Sequence, residues 1–466
     1  MRTVKMAGLL ALTGIGLMAG LGGCAQNAAL TPDNKMCSFV TIPIEVAAPP
    51  IATPPAPFSP LAKQIDASLT SYDSKDHAGA PPLVLTLSGG SEHGAFGAGV
   101  LGGWSGDGTL PDFQVVTGIS TGSILATFAF VGDSSTAVQG YTIDSESELL
   151  TVYAKPTDGK IGPADYAALL EHGSFANLEP LRSRLSGYLT DAVMQQVAAR
   201  YADGARLYVG ATDADSGHAV AFDLGDMATR YVTNAQGKAA QWKDCYVSAI
   251  IASSSAPMAA PPAFIDNTMY IDGGTRFGLF SDSVLEVFHA RKHGAGEHAP
   301  GQRDPGLPPA GVPVVYAVID GTLKLPPPKC PKEDSSLCTA SQPLGPADGQ
   351  HRKWNIMDLL LSTEHILVNQ VYRFSAEQVQ ADACEGAGCF NFLRIDDDVA
   401  TFQFTYTDPA TGQPASKTCP QWAAIDDAVD DPIEFQKRYM RCLIAYGKAK
   451  VKAAGWGMPQ AGDNAS

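Results

Sequence analysis

Apolar runs of four to nine residues, bounded by glycine, proline and aspartate, recur along the chain from about residue 80, and their lengths predict alternating strands and helices. "PPLVLTLSGG" reads as a strand running into a glycine turn, and Phe113 to Thr117 is short, β-branched and turn-bounded, as a buried strand is. Ser123 to Val131 has the length and alanine content of a helix start. This alternation up to Val131 predicts an α/β layer with a mainly parallel central sheet. Further on, "ARLYVGATDADSGHAVAFDLG" predicts two strands joined by an Asp-Ser-Gly turn. "AIIASSSAP" predicts a helix stopped by Pro257, and "VPVVYAVIDG" another buried strand. "DGTLKLPPPKCPKEDSSLCTASQPLGPADGQ" is a polar excursion without periodicity, more loop than element. The spacing in "IMDLLLSTEHILVNQVYRFSAEQVQ" is helical, "NFLRIDDD" and "ATFQFTYTDP" add strands, and "IEFQKRYMRCLIAYGKAKVKAAG" closes with a helix. No internal repeat is present. The expected architecture is one α/β domain over residues 79–455 with loop insertions, followed by a flexible tail at 456–466.

The first residues do not follow this pattern. Arg2 and Lys5 precede the apolar stretch "AGLLALTGIGLMAGLGG", which is too short and glycine-rich for a membrane span. It ends in Leu21-Gly22-Gly23-Cys24, which resembles a bacterial lipoprotein box; that resemblance implies a signal peptide over 1–23 and a lipid on Cys24. No aspartate follows Cys24, which by the same resemblance to lipoproteins implies transport to the outer membrane of a bacterial cell envelope. Residues 24–78, rich in proline as in "IPIEVAAPPIATPPAPFSP", read as an extended spacer. The 466 residues carry 32 Lys and Arg against 48 Asp and Glu, a formal net charge of -16, which argues against nucleic acid as a partner. Such a surface is also repelled by anionic head groups unless an anchor compensates. Export changes the reading of the other eight cysteines, whose even number points to disulfides. Cys330 with Cys338 and Cys384 with Cys389 bracket short polar segments, and Cys419 with Cys442 is the next pairing; the spacings do not suit a zinc knuckle.

Gly118-Ile119-Ser120-Thr121-Gly122 lies between the second strand and its helix. The pattern G-x-S-x-G there describes a tight strand-to-helix turn that exposes a serine hydroxyl. A nucleophilic serine also needs donors for an oxyanion and a base. Gly89-Gly90-Ser91-Glu92-His93-Gly94 follows the first strand and opens a small-residue helix, so its backbone N–H groups form a cradle for negative charge. The glycines are not in the register of a dinucleotide loop, and no lysine follows as in a P-loop. "MYIDGGTRFG" places Asp272 at the end of an apolar run, before Gly273-Gly274.

The glycine loop, G-x-S-x-G, "A-S-x-x-A-P…P-P" and D-G-G, in that order from about Leu83 to Asp272, resemble the patatin-like phospholipases. The resemblance implies a three-layer α/β/α fold and a Ser–Asp dyad with Ser120 as nucleophile and Asp272 as its activator. It also implies an oxyanion site in the glycine loop, a phospholipid or other lipid ester as substrate, and no metal or organic cofactor. The lipid on Cys24 would hold such an enzyme against a membrane. Two positions depart from the family. Ser91 stands where a third glycine is common, and His93, only partly charged near neutral pH, where Arg or Lys is common. Arg276 and "TRFGLF" depart from the polar pattern usual after D-G-G. Two rivals remain. A His-dependent esterase would draw on His289, His293, His298, His351 or His365, the first three in the polar, solvated stretch "FHARKHGAGEH". A catalytically silent envelope scaffold would retain the fold without the chemistry.

Overall fold

In the computed structural model the described residues are 33–44, 58–75, 77, 80–155, 162–296, 311–321, 356–381 and 390–456. The central sheet runs β1 (Ile42–Pro43), β7 (Ala219–Asp223), β6 (Arg206–Asp213), β3 (Val115–Ile119), β2 (Leu83–Leu87), β10 (Val314–Ile319), β11 (Phe390–Arg394). β9 (Thr268–Asp272) pairs with the end of β6, and β8 (Ala263–Ile265) pairs with β9. The four pairings from β6 across to β11 are parallel, and the antiparallel ones gather at the β6 edge. Off the sheet, β4 (Thr151–Val152) pairs with β5 (Ala176–Asn177) and β12 (Gln403–Thr407) with β13 (Pro414–Thr418).

Side-chain alternation along the strands divides the core in two. Leu83, Leu85 and Leu87 of β2 pack with Val116, Val209 and Val318 against the helices Gly94–Gly106, Thr121–Phe130, Ala239–Ser253 and Lys437–Ala454. Val84, Val115, Tyr208 and Val315 face the other way, onto the helices Pro60–Asp73, Ser281–Gly296 and Ile356–Ala381. The result is the expected three-layer α/β/α arrangement around a mixed, mostly parallel sheet. Among the described residues no helix is long and apolar enough to cross a membrane.

Two expectations change. Part of the stretch read as an extended spacer is folded onto the domain: Ile42 and Pro43 pair with β7, and Pro60–Asp73 is a helix. Ser59 caps it by accepting from the Ala62 N–H, Pro60 starts it, and Leu61, Ile65 and Leu69 form its buried stripe. The histidine-rich stretch after Phe288 is not wholly solvated either. Arg291 is buried, donating to Asp66 and Asp73 at 2.7 and 2.8 Å. The disulfides present among the described residues are Cys37–Cys245 and Cys419–Cys442. Residues 1–23, Cys24, the polar excursion with Cys330 and Cys338, the Cys384–Cys389 segment, and the tail beyond Trp456 lie outside the described residues.

Candidate active site

The turn at Ser120 is the sharp strand-to-helix corner that G-x-S-x-G describes. β3 continues to Ile119 and the next helix begins at Thr121, so Ser120 alone makes the corner, with φ 52° and ψ −123°. That left-handed geometry costs an L-residue on the order of 1–3 kcal/mol. The flanking residues hold it there. A Cβ on Gly118 would lie 2.3 Å from the Gly122 carbonyl oxygen, and one on Gly122 would lie 2.5 Å from the carbonyls of Leu87 and Ser88. The Ser120 N–H donates to Ser253 Oγ, and the Ser120 carbonyl accepts from Ser254 Oγ and Ser123 Oγ.

Asp272 ends β9, whose antiparallel register with β6 sets Asp272 opposite Ala211. Its backbone N–H donates to the Ser255 carbonyl, and Oδ1 accepts from the Gly274 N–H at 2.6 Å. Oδ2 accepts from Ser120 Oγ at 2.6 Å, across 152 residues of chain. Both side chains are buried, at 7% and 6% exposure, so the pair is shielded from water and their hydrogen bond has the length of a charge-assisted one. A Cβ on Gly273 would meet the Gly210 carbonyl at 2.6 Å, which is why glycine follows the aspartate.

The glycine loop leaves β2 at Gly89, turns through Ser91–His93 and becomes the helix at Gly94. Ser91 has φ 53°, the conformation in which glycine is at ease, so the hydroxymethyl group is carried on a glycine-type backbone. The N–H groups of Gly90 and Ser91, both in the cavity wall, donate to no group among the described residues. Glu92 turns away: its carboxylate accepts from the Gln436 N–H. His93 differs from its expected partial charge. Burial pushes its imidazole down to about 4, and its Nδ1–H donates to the Gly90 carbonyl, so the ring is neutral near pH 7.

Behind the loop, Asp320 at the end of β10 is fully buried. Neither carboxyl oxygen has a hydrogen-bond partner among the described residues, and the Gly97 N–H is its polar neighbour. Burial therefore holds this acid well above the carboxylate range.

Ser120 and Asp272 line a cavity of about 460 Å³, a size typical of small-molecule sites. Gly90, Ser91 and His93 line it as well, and Leu149, Leu150, Phe175, Leu181, Met258 and Phe435 make the rest of the wall largely apolar. His93 is the histidine in this wall among the described residues. His289 is on the helix Ser281–Gly296 against Phe288. His298 and His351, and the side chains of His293 and His365, lie outside the described residues. Tyr372 also lines the cavity. Sequence reasoning passed over it and Asp320, since one sits in a helical stripe and the other ends an apolar strand. Their signals, a lone tyrosine and a lone aspartate at those points, also fit ordinary packing.

Residues 85–282 match the family model described as patatin-like phospholipase, so that span of the chain carries the family's domain. The matched span holds the glycine loop, Ser120 and Asp272. A crystal structure of VipD from Legionella pneumophila is similar over 53% of this chain and 52% of that one, at 13% identity and a TM-score of 0.27. This chain thus spans about half the length of that structure, and the likeness is too loose to argue from. No curated protein matches.

Proposed function

We propose that the chain is a serine lipid acyl hydrolase of the phospholipase A or esterase type, working through a Ser120–Asp272 dyad and an acyl-serine. The observation that carries the reading is the 2.6 Å hydrogen bond from Ser120 Oγ to Asp272 Oδ2 in the wall of a largely apolar cavity. Asp272 takes the Ser120 proton as Oγ bonds to the ester carbonyl carbon, and the Gly90 and Ser91 N–H groups receive the oxyanion. Collapse breaks the bond to the alcohol, which leaves with the proton from Asp272. Water then gives a proton to Asp272 as its oxygen bonds to the acyl carbon, and collapse breaks the bond to Ser120 Oγ, which takes the proton back from Asp272 as the fatty acid leaves. The apolar wall suits an acyl chain. Neutral His93 offers no charge to a phosphate, so the reading rests on the ester and extends to phospholipid or other lipid esters.

Labelling with a fluorophosphonate tests it. The expected result is labelling of the folded protein at Ser120, lost in Ser120→Ala and Asp272→Asn. Labelling that survives Asp272→Asn moves the base to a histidine; an unlabelled wild type favours the silent scaffold. The location proposed is the bacterial envelope, with the lipid on Cys24 facing its substrate's membrane. Two disulfides support an oxidising compartment.

A further inference from the structure

Tyr372 projects from the helix Ile356–Ala381 into a slot made of glycines. A Cβ on Gly321, after β10, would lie 2.7 Å from the tyrosine ring, and one on Gly278, before the helix Ser281–Gly296, would lie 2.9 Å from it. The hydroxyl end reaches between Gly89 and Gly274, the two loops that carry the site. The point where Gly89 would bear a Cβ is 2.1 Å from the Tyr372 hydroxyl oxygen and 2.8 Å from Ser120 Cβ. Those two atoms are therefore no more than about 5 Å apart. The corresponding point on Gly274 is 2.9 Å from the hydroxyl and 3.0 Å from Asp272 Oδ1, which brings those two within about 6 Å. The residue is 6% exposed, so this phenol is shielded from solvent.

We propose that Tyr372 is a catalytic residue whose Oη–H donates to the oxyanion formed on the ester carbonyl, beside the Gly90 and Ser91 amides. The inference rests on the acyl-serine reading above. A phenol keeps its proton throughout the neutral range, so it donates without adding a charge that must be desolvated. A ring wedged among glycines is also pre-organised, which is what makes an oxyanion donor effective. The family's usual cation is absent at His93, and Tyr372 brings a neutral donor into the same cavity.

The test compares wild type with Tyr372→Phe, which keeps the ring and removes the hydroxyl. The expected loss is about 100-fold in kcat, with KM near wild type, as for a lost oxyanion donor. Fluorophosphonate labelling should slow to a similar degree and still reach the same end point, which counts the folded fraction. The loss should be equal for p-nitrophenyl and alkyl esters, because the donor acts on the carbonyl oxygen and not on the leaving group. As a second probe, 3-fluorotyrosine at position 372 keeps the size and makes the phenol more acidic; the alkaline limb of kcat should move to lower pH. A labelled wild type with Tyr372→Phe labelled equally fast overturns the inference alone. A deficit confined to alkyl esters overturns it in favour of leaving-group protonation. An unlabelled wild type removes both the acyl-serine reading and this one.

Discussion

His93 lies in the glycine loop and Asp320 behind it, and burial moves each toward its neutral form, with opposite consequences for stability. The unfolded chain ionises Asp320 from about pH 4, whereas the folded protein keeps it protonated to much higher pH. Over that window the native state binds the extra proton, so this residue's contribution to stability falls as pH rises. Asp320→Asn keeps the shape and removes the titration. Its stability relative to wild type should therefore increase from pH 5 to pH 8 in denaturant titrations; a constant difference would contradict a buried neutral acid. His93 has the reverse sign. Its folded value of about 4 lies below the ordinary 6.5, so the unfolded state takes the proton first as pH drops. The stability it protects is complete above pH 6.5 and is lost between 6.5 and 4, on the order of 3 kcal/mol. His93→Asn should flatten that part of the stability curve.

The helix Gly94–Gly106 shows why glycine is used within an element. Its backbone lies against that of the helix Lys437–Ala454: a Cβ on Gly99 would sit 2.3 Å from the Ile444 carbonyl oxygen, and one on Gly447 would sit 2.3 Å from that of Phe96. Gly99→Ala must part the two helices, and overpacking of this kind costs about 1–3 kcal/mol. Because the same helix carries the glycine loop at its start, activity should fall along with the melting temperature. Unchanged activity in a destabilised variant would mean the loop is positioned by the sheet alone. The sequence had announced this helix, β2, β3 and the serine turn, because each depends on neighbours within a few residues. The helix Pro60–Asp73 was hidden by the prolines around it, although Ser59, Pro60 and the apolar spacing at 61, 65 and 69 were there to be read.

At the scale of the molecule, the chain ties its N-terminal segment to the domain. Cys37 is bonded to Cys245, 208 residues away, and Asp266 accepts from the N–H groups of Cys37, Ser38 and Phe39. A loop of that length loses several kcal/mol of unfolded-state entropy on closure, about 5 kcal/mol in the chain-entropy model. Cys37→Ser with Cys245→Ser should therefore lower the thermal midpoint clearly, while the Cys419–Cys442 pair, closing 23 residues, should matter less. If the lipid reading of Cys24 holds, Cys24→Ser should move the protein from the membrane fraction to the soluble one without altering turnover of a dissolved ester. Retention in the membrane would point to another anchor.

By itself the sequence determined the layer architecture, the serine corner and the aspartate before two glycines, and it pointed to their order as that of a known family. Apolar periodicity and turn chemistry are local, and the family's motifs are short. Only the tertiary structure decided that Cys37 finds Cys245, that His93 is neutral, that Asp320 lies unpaired behind the loop, and that Tyr372 reaches the dyad. Each of those depends on what burial and distant packing bring together, and a phenol between Gly89 and Gly274 exists only once the helix Ile356–Ala381 has docked onto the sheet.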